Sequence, residues 1–162
     1  MDIDTKKLAE FLVRAKRAAY AGDGIEILAE RLGFKELEFI DGYWEYRDSY
    51  SGFFSAPGQE IVRYLGEPVW AMAYYGGMRK EFFGDEALAT KTFEFLKEVL
   101  QQVEPSKPYR GPSEFRRSEW FYHCSITGDI TDFLGQEHIL LNEHEVFRQN
   151  YIGGLIISKA RQ

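Results

Sequence analysis

The chain has 162 residues, 44% hydrophobic and 28% charged, the make-up of a globular protein large enough to bury a core without covalent staples. Twenty Lys and Arg against 26 Asp and Glu leave a formal charge of −6, which repels phosphate backbones and argues against direct contact with nucleic acid. The lone cysteine, Cys124, excludes an internal disulfide, and no apolar run is long enough to span a bilayer. Together with an N-terminus, MDIDTKKLAEF, that has no signal-peptide core, these features predict a cytoplasmic protein with no membrane partner.

In chain order, Asp4 is placed to cap a helix running to about Tyr20. Leu8, Phe11, Leu12, Ala15 and Ala19 form its apolar stripe, Arg14, Lys16 and Arg17 lie toward its C-terminal dipole, and Gly22 is placed to end it. Residues 23–34 read as a connector. Residues 37–40 and 43–50 flank Asp41-Gly42, a hairpin signal, and residues 60–65 and 69–75 flank a turn at Gly66-Glu67-Pro68. Asp85 opens a second helix, striped by Leu88, Phe95, Leu96, Val99, Leu100 and Val103 and stopped by Pro105 and Pro108. After a linker over 104–113, strands are expected at 120–126, 130–133, 138–141 and 146–152, with turns at Gly128-Asp129 and Asn142-Glu143. Residues 155–158 are placed to extend the sheet.

The chain repeats itself. Glu38, Phe39, Trp44, Tyr46, Ser49 and Gly52 recur 76 positions on as Glu114, Phe115, Trp120, Tyr122, Ser125 and Gly128. After one inserted residue, Gly58-Gln59-Glu60, Val69, Tyr74 and Gly76-Gly77 recur as Gly135-Gln136-Glu137, Val146, Tyr151 and Gly153-Gly154. The expected fold class is therefore α+β: an internal duplication of a helix–hairpin–hairpin unit, with antiparallel sheets and one helix per repeat about a pseudo-twofold axis. It would form one domain over residues 1–162, made of repeats at about 4–80 and 85–158, with a cleft at their junction.

Several residues are candidates for chemistry. Glu60 and Glu137 could form a symmetry-related acid/base pair if held close in that cleft. Asp48 lies on a strand face with Trp44, Tyr46 and Tyr50, and a carboxylate among rings must be paired, hydrated or functional. Trp44, Asp48, Trp70 and Tyr74 are the candidate ligand-binding walls, the last two sharing one strand face. His123, His138 and His144 lack zinc-type spacing, so no metal is expected. Neither GxxxxGK[ST] nor GxGxxG occurs, and no cofactor is expected. Cys124 next to His123 does not make a catalytic pair, because adjacent strand residues face opposite sides.

The segments LAEFLVRAKRAAYAG (8–22), YRDSYSG (46–52), GQEIV (58–62), GEPVWAMAYYGG (66–77) and YIGGLI (151–156) resemble an uncharacterised prokaryotic domain family. Some members of that family are attached behind helix-turn-helix regulators of the XRE type. The resemblance implies a regulatory or sensing context and no established activity. The first helix, opening near residue 4, is expected to leave no room for a DNA-binding module. Three readings of function follow. The first is a non-catalytic domain binding a small apolar or aromatic ligand; the second is an enzyme using Glu60 and Glu137; the third is an interaction module pairing with a second copy or a regulator through exposed sheet edges.

Overall fold

The computed structural model describes residues 2–22 and 24–159. Helix α1 spans Thr5–Ala18, and the Asp4 carboxylate accepts from the Lys6 and Lys7 amides at its N-terminus. Helix α2 spans Glu86–Leu100, capped by Asp85 through the Leu88 amide. Both anticipated caps are present, though α1 stops two residues before Tyr20. The connector expected over 23–34 starts at a residue outside the described ones. It contains the two-residue strand β1, Glu26–Ile27.

The strands that follow are β2 (Lys35–Asp41), β3 (Trp44–Tyr50), β4 (Ser55–Tyr64), β5 (Glu67–Met78), β6 (Glu114–Arg117), β7 (Trp120–Asp129), β8 (Asp132–Leu141) and β9 (His144–Leu155). They form one sheet in the order β1-β2-β3-β4-β5-β9-β8-β7-β6, with every neighbouring pair antiparallel. Two tight turns have positive φ at both central residues, Leu65-Gly66 and Asn142-Glu143, the geometry that suits the twist of a two-residue hairpin.

This corrects the expected fold class. The chain does not build an α+β duplication in which each helix–hairpin–hairpin repeat covers its own sheet. The described residues form a single nine-stranded antiparallel sheet with two α-helices on one face. The reason lies in the middle of the sheet. Strands β5 and β9 are each 12 residues long, and unpaired they would expose long rows of backbone donors and acceptors. They pair with each other instead, from Trp70 opposite Leu155 to Met78 opposite Phe147, which merges everything into one layer. Gly76-Gly77 and Gly153-Gly154, which follow the strands expected at 69–75 and 146–152, lie inside β5 and β9. A Cβ on Gly76 would fall 2.2 Å from the Arg148 carbonyl oxygen and one on Gly153 2.3 Å from the Ala71 carbonyl oxygen, so neighbouring backbone has closed in on them.

Both helices pack on the same face. From α1, Leu8, Phe11 and Leu12 are fully buried, a contribution of about 1.5–3 kcal/mol each. Phe11 stacks on Trp44 with ring centroids 5.4 Å apart, and Phe95 of α2 packs on Trp120 at the same distance. The C-terminal ends of the helices are tied together: Gln101 Nε2 donates to the Arg17 and Ala21 carbonyls, and Arg17 donates to Val103. No helix among the described residues is long and apolar enough to cross a membrane.

Candidate functional site

Alternation along the strands puts Asp48 (β3), Glu60 (β4), Met72 and Tyr74 (β5), Tyr151 and Gln149 (β9), Glu137 (β8) and Cys124 and Tyr122 (β7) on the face beneath the helices. Three carboxylates thus reach an apolar core, with relative exposures of 3% for Asp48, 2% for Glu60 and 0% for Glu137. Two cations meet them. Lys16 comes down from α1 onto Glu60, and Arg110 comes from the segment between α2 and β6. Arg110 donates to Glu137 Oε1 through Nε at 3.1 Å and Nη2 at 2.7 Å, while its Nη1 lies 3.9 Å from Glu60 Oε1. Glu137 also accepts from the Tyr122 hydroxyl at 2.7 Å and from Gln149 at 3.3 Å.

Glu60 and Glu137 are therefore brought into one cluster, bridged by Arg110 and held by buried cations. Burial drives Lys16 below the ordinary lysine range, against the pull of Glu60. Burial also works against the Arg110 charge, but Glu137 and Glu60 outweigh it and hold the guanidinium ionised. Asp48 is different. The Tyr74 hydroxyl donates to its Oδ1 at 2.7 Å, and burial, reinforced by repulsion from Glu60, pushes its pKa up to about 7. On the other side of the β5–β9 pair, the Tyr151 hydroxyl meets Cys124 Sγ at 2.9 Å, and burial pushes that thiol up. The cysteine is free and buried, and the Glu137 carboxylate opposite it in register adds to the rise.

A cavity of about 560 Å³ opens above Asp48, between the sheet and the C-terminal ends of the helices. Asp48, Tyr74, Arg110 and Gln149 supply its polar groups, and Tyr20, Tyr50, Phe53, Phe93 and Phe147 its aromatic walls. Lys35 and Lys97, both exposed, stand at its rim. Gly76 and Gly77 line it with bare backbone.

Of the four residues expected to form ligand-binding walls, the structure brings Asp48 and Tyr74 together on this cavity, and Glu60 lies directly behind Asp48 in register. Trp44 and Trp70 are elsewhere. Trp44 is wedged between Phe11 and Tyr64. Trp70 is fully buried, stacked on Phe133 at 5.8 Å, with its indole N–H donated to the Ile130 carbonyl at 3.1 Å. The two buried cations were missed by the sequence reading. Lys16 had a usable signal, since a lysine one turn from Leu12 and beside Ala15 falls on the apolar stripe of α1. Arg110 had none, being one arginine in a Pro- and Gly-rich loop.

The histidines do not converge. His123 and His138 are cross-strand neighbours with ring centroids 6.4 Å apart, and His138 bonds Glu145 and Gln136 on the far face of the sheet, but His144 stands apart, exposed, with Nδ1 on the Asn142 carbonyl. Among the described residues no group of three or more His, Cys, Asp or Glu side chains is placed to hold a metal ion. The family described as "Domain of unknown function (DUF5680)" matches residues 48–156, two thirds of the chain and all of its sheet from Asp48 onward. No curated protein and no solved structure matches the chain.

Proposed function

The chain belongs to the DUF5680 family of unknown function, and from that premise we propose that it is a non-catalytic binding domain for a small, largely apolar molecule held in the cavity above Asp48. The cavity wall carries the reading. Small-molecule sites are typically clefts of about 300–1,000 Å³ lined by apolar and aromatic side chains with a few polar groups to fix orientation. A volume of about 560 Å³, five aromatic walls and a polar floor of Asp48, Tyr74, Arg110 and Gln149 have that form. In this reading Asp48 and Tyr74 touch the ligand, while Trp44 and Trp70 hold the surrounding elements.

Two observations favour binding over catalysis. Glu60 and Glu137 are absent from the described wall of the cavity, and each is engaged by a buried cation. No Ser, Thr, Cys or His is among the described lining residues, so a nucleophile there would have to be Asp48, a tyrosine or a rim lysine. The interaction-module reading has one feature in its favour: Ala73, Ile152 and Leu134 lie side by side on the uncovered face of the sheet, near exposed Tyr75. A sensing role, in the cytoplasm and alongside a regulator, belongs to the same proposal.

Blocking the cavity tests it. A thermal-shift screen of metabolites on the natural chain and on Ala56→Leu and Ala56→Trp, which add bulk at the wall, should find a compound that raises Tm by about 5 °C or more near 100 times its Kd. That gain should shrink or vanish in the blocked variants. A library with no stabiliser, or equal gains in blocked and unblocked proteins, would count decisively against the reading.

A further inference from the structure

The chemistry of the ligand's head can be read from the charges at the cavity floor. Each buried cation is matched by one glutamate, Lys16 by Glu60 and Arg110 by Glu137. Asp48 is left over. Its Oδ1 accepts from Tyr74, and its Oδ2 has no hydrogen-bond partner among the described residues although the side chain is 97% buried. It is nevertheless not sealed off, because Asp48 lines the cavity. An unpartnered carboxylate oxygen at the base of an aromatic pocket is a receptor for a donor, and the rings around it favour a positive one.

We propose that the cavity takes an organic cation, a primary ammonium or an amidinium on a small apolar body, with its charged head on Asp48 and its body between Tyr20, Tyr50, Phe53 and Phe93. This rests on the binding reading above and deepens it. The groups facing Asp48 are Glu60 from β4, Tyr74 from β5, Lys16 from α1 and Arg110 from the segment before β6, with Tyr46 and Tyr50 on its own strand. With Asp48 ionised, that set together with Glu137, which Arg110 bridges to Glu60, has three carboxylates against two cations; the one negative charge in excess is cancelled by a bound monocation. An anion would enter beside three carboxylates, where Arg110, the one arginine among the described lining residues, already gives two donors to Glu137. A neutral head would leave the excess charge uncompensated. The exposed ammonium groups of Lys35 and Lys97 at the rim repel an approaching cation, a cost that its contact with Asp48 has to exceed.

A proton competes for the same oxygen. With an Asp48 pKa of about 7, the cation displaces the proton on binding, and affinity rises with pH. Benzamidine, benzamide and benzoate share a ring and a planar head and differ in charge. Each would be titrated into the ¹⁵N-labelled chain and followed by NMR at the amides of Asp48, Gly76, Gly77 and Gln149. Benzamidinium should bind at least about tenfold tighter than the other two, and about tenfold tighter at pH 8 than at pH 6, as the ionised fraction of an acid of pKa about 7 changes over that range. Asp48→Asn should remove most of that affinity and its pH dependence while leaving the spectrum that of a folded protein.

Equal or tighter binding of benzamide or benzoate at the same amides would overturn the cation assignment and leave the cavity reading standing. A benzamidinium affinity indifferent to pH and to Asp48→Asn would do the same. Should none of the three move a cavity amide, the cation assignment falls, and the metabolite screen with the Ala56 variants decides the cavity reading separately.

Discussion

A lysine on the apolar side of a helix is costly unless something meets it, and Lys16 is met by Glu60. Arg110 does the same for Glu137, so four of the five charged groups in this cluster beneath the helices are paired within it. Asp48 pays the difference: folding raises its pKa from 3.8 to about 7, which makes the protonated acid the form that the fold prefers. The stability this preference contributes is complete below pH 3.8 and is lost as pH rises through about 7. Asp48→Asn keeps an acceptor for Tyr74 and cannot ionise. Its unfolding free energy relative to the natural chain should therefore climb by roughly 2–4 kcal/mol between about pH 4 and pH 8. Urea unfolding at the two pH values measures this, and a constant gap would contradict it. The sequence marked Asp48 as anomalous because a carboxylate stood among rings. It could not mark Arg110, whose importance comes from a loop folding back over residues distant in the chain.

Helix starts were readable because capping is local: an Asp before an apolar stripe is met by amides two or three residues on. Strand ends were misread where glycine intervened. Gly58 and Gly135 fall before the strands expected at 60–65 and 138–141, yet both lie mid-strand, in β4 and β8. Each is the floor under a tyrosine ring. A Cβ on Gly58 would come within 2.1 Å of Tyr74 Cζ, and one on Gly135 within 2.3 Å of Tyr151 Cζ. Cross-strand packing sets that requirement, and a sequence shows only that glycine recurs. Gly58→Ala and Gly135→Ala should each cost about 1–3 kcal/mol by overpacking. Only Gly58→Ala should also disturb the hydrogen bond from Tyr74 to Asp48, and with it the titration of Asp48. Chemical unfolding together with an NMR pH titration of the Asp48 side chain separates the two; equal effects on that titration would refute the assignment.

At the scale of the whole molecule, the β5–β9 pairing and the Arg110 bridge between Glu60 and Glu137 bind the two ends of the sheet into one cooperative body. The expected duplication would have allowed each repeat its own sheet and its own stability. The sequence carried the matched residues, but it could not say that the longest strands would close against each other. Unfolding in urea should therefore follow a single transition, with tryptophan fluorescence from Trp44, Trp70 and Trp120 superimposable on far-UV circular dichroism. Separated midpoints would show that the ends melt independently.

The outermost strands of this sheet are its shortest, two residues in β1 and four in β6, and the four carry Glu114, Arg116 and Arg117. A growing fibril needs a long, flat, uncharged row of backbone groups to copy, and these ends offer neither length nor neutrality. A chain with 26 aromatic residues, 13 Phe, 10 Tyr and 3 Trp, is thereby kept from templating its own aggregation laterally while it remains folded.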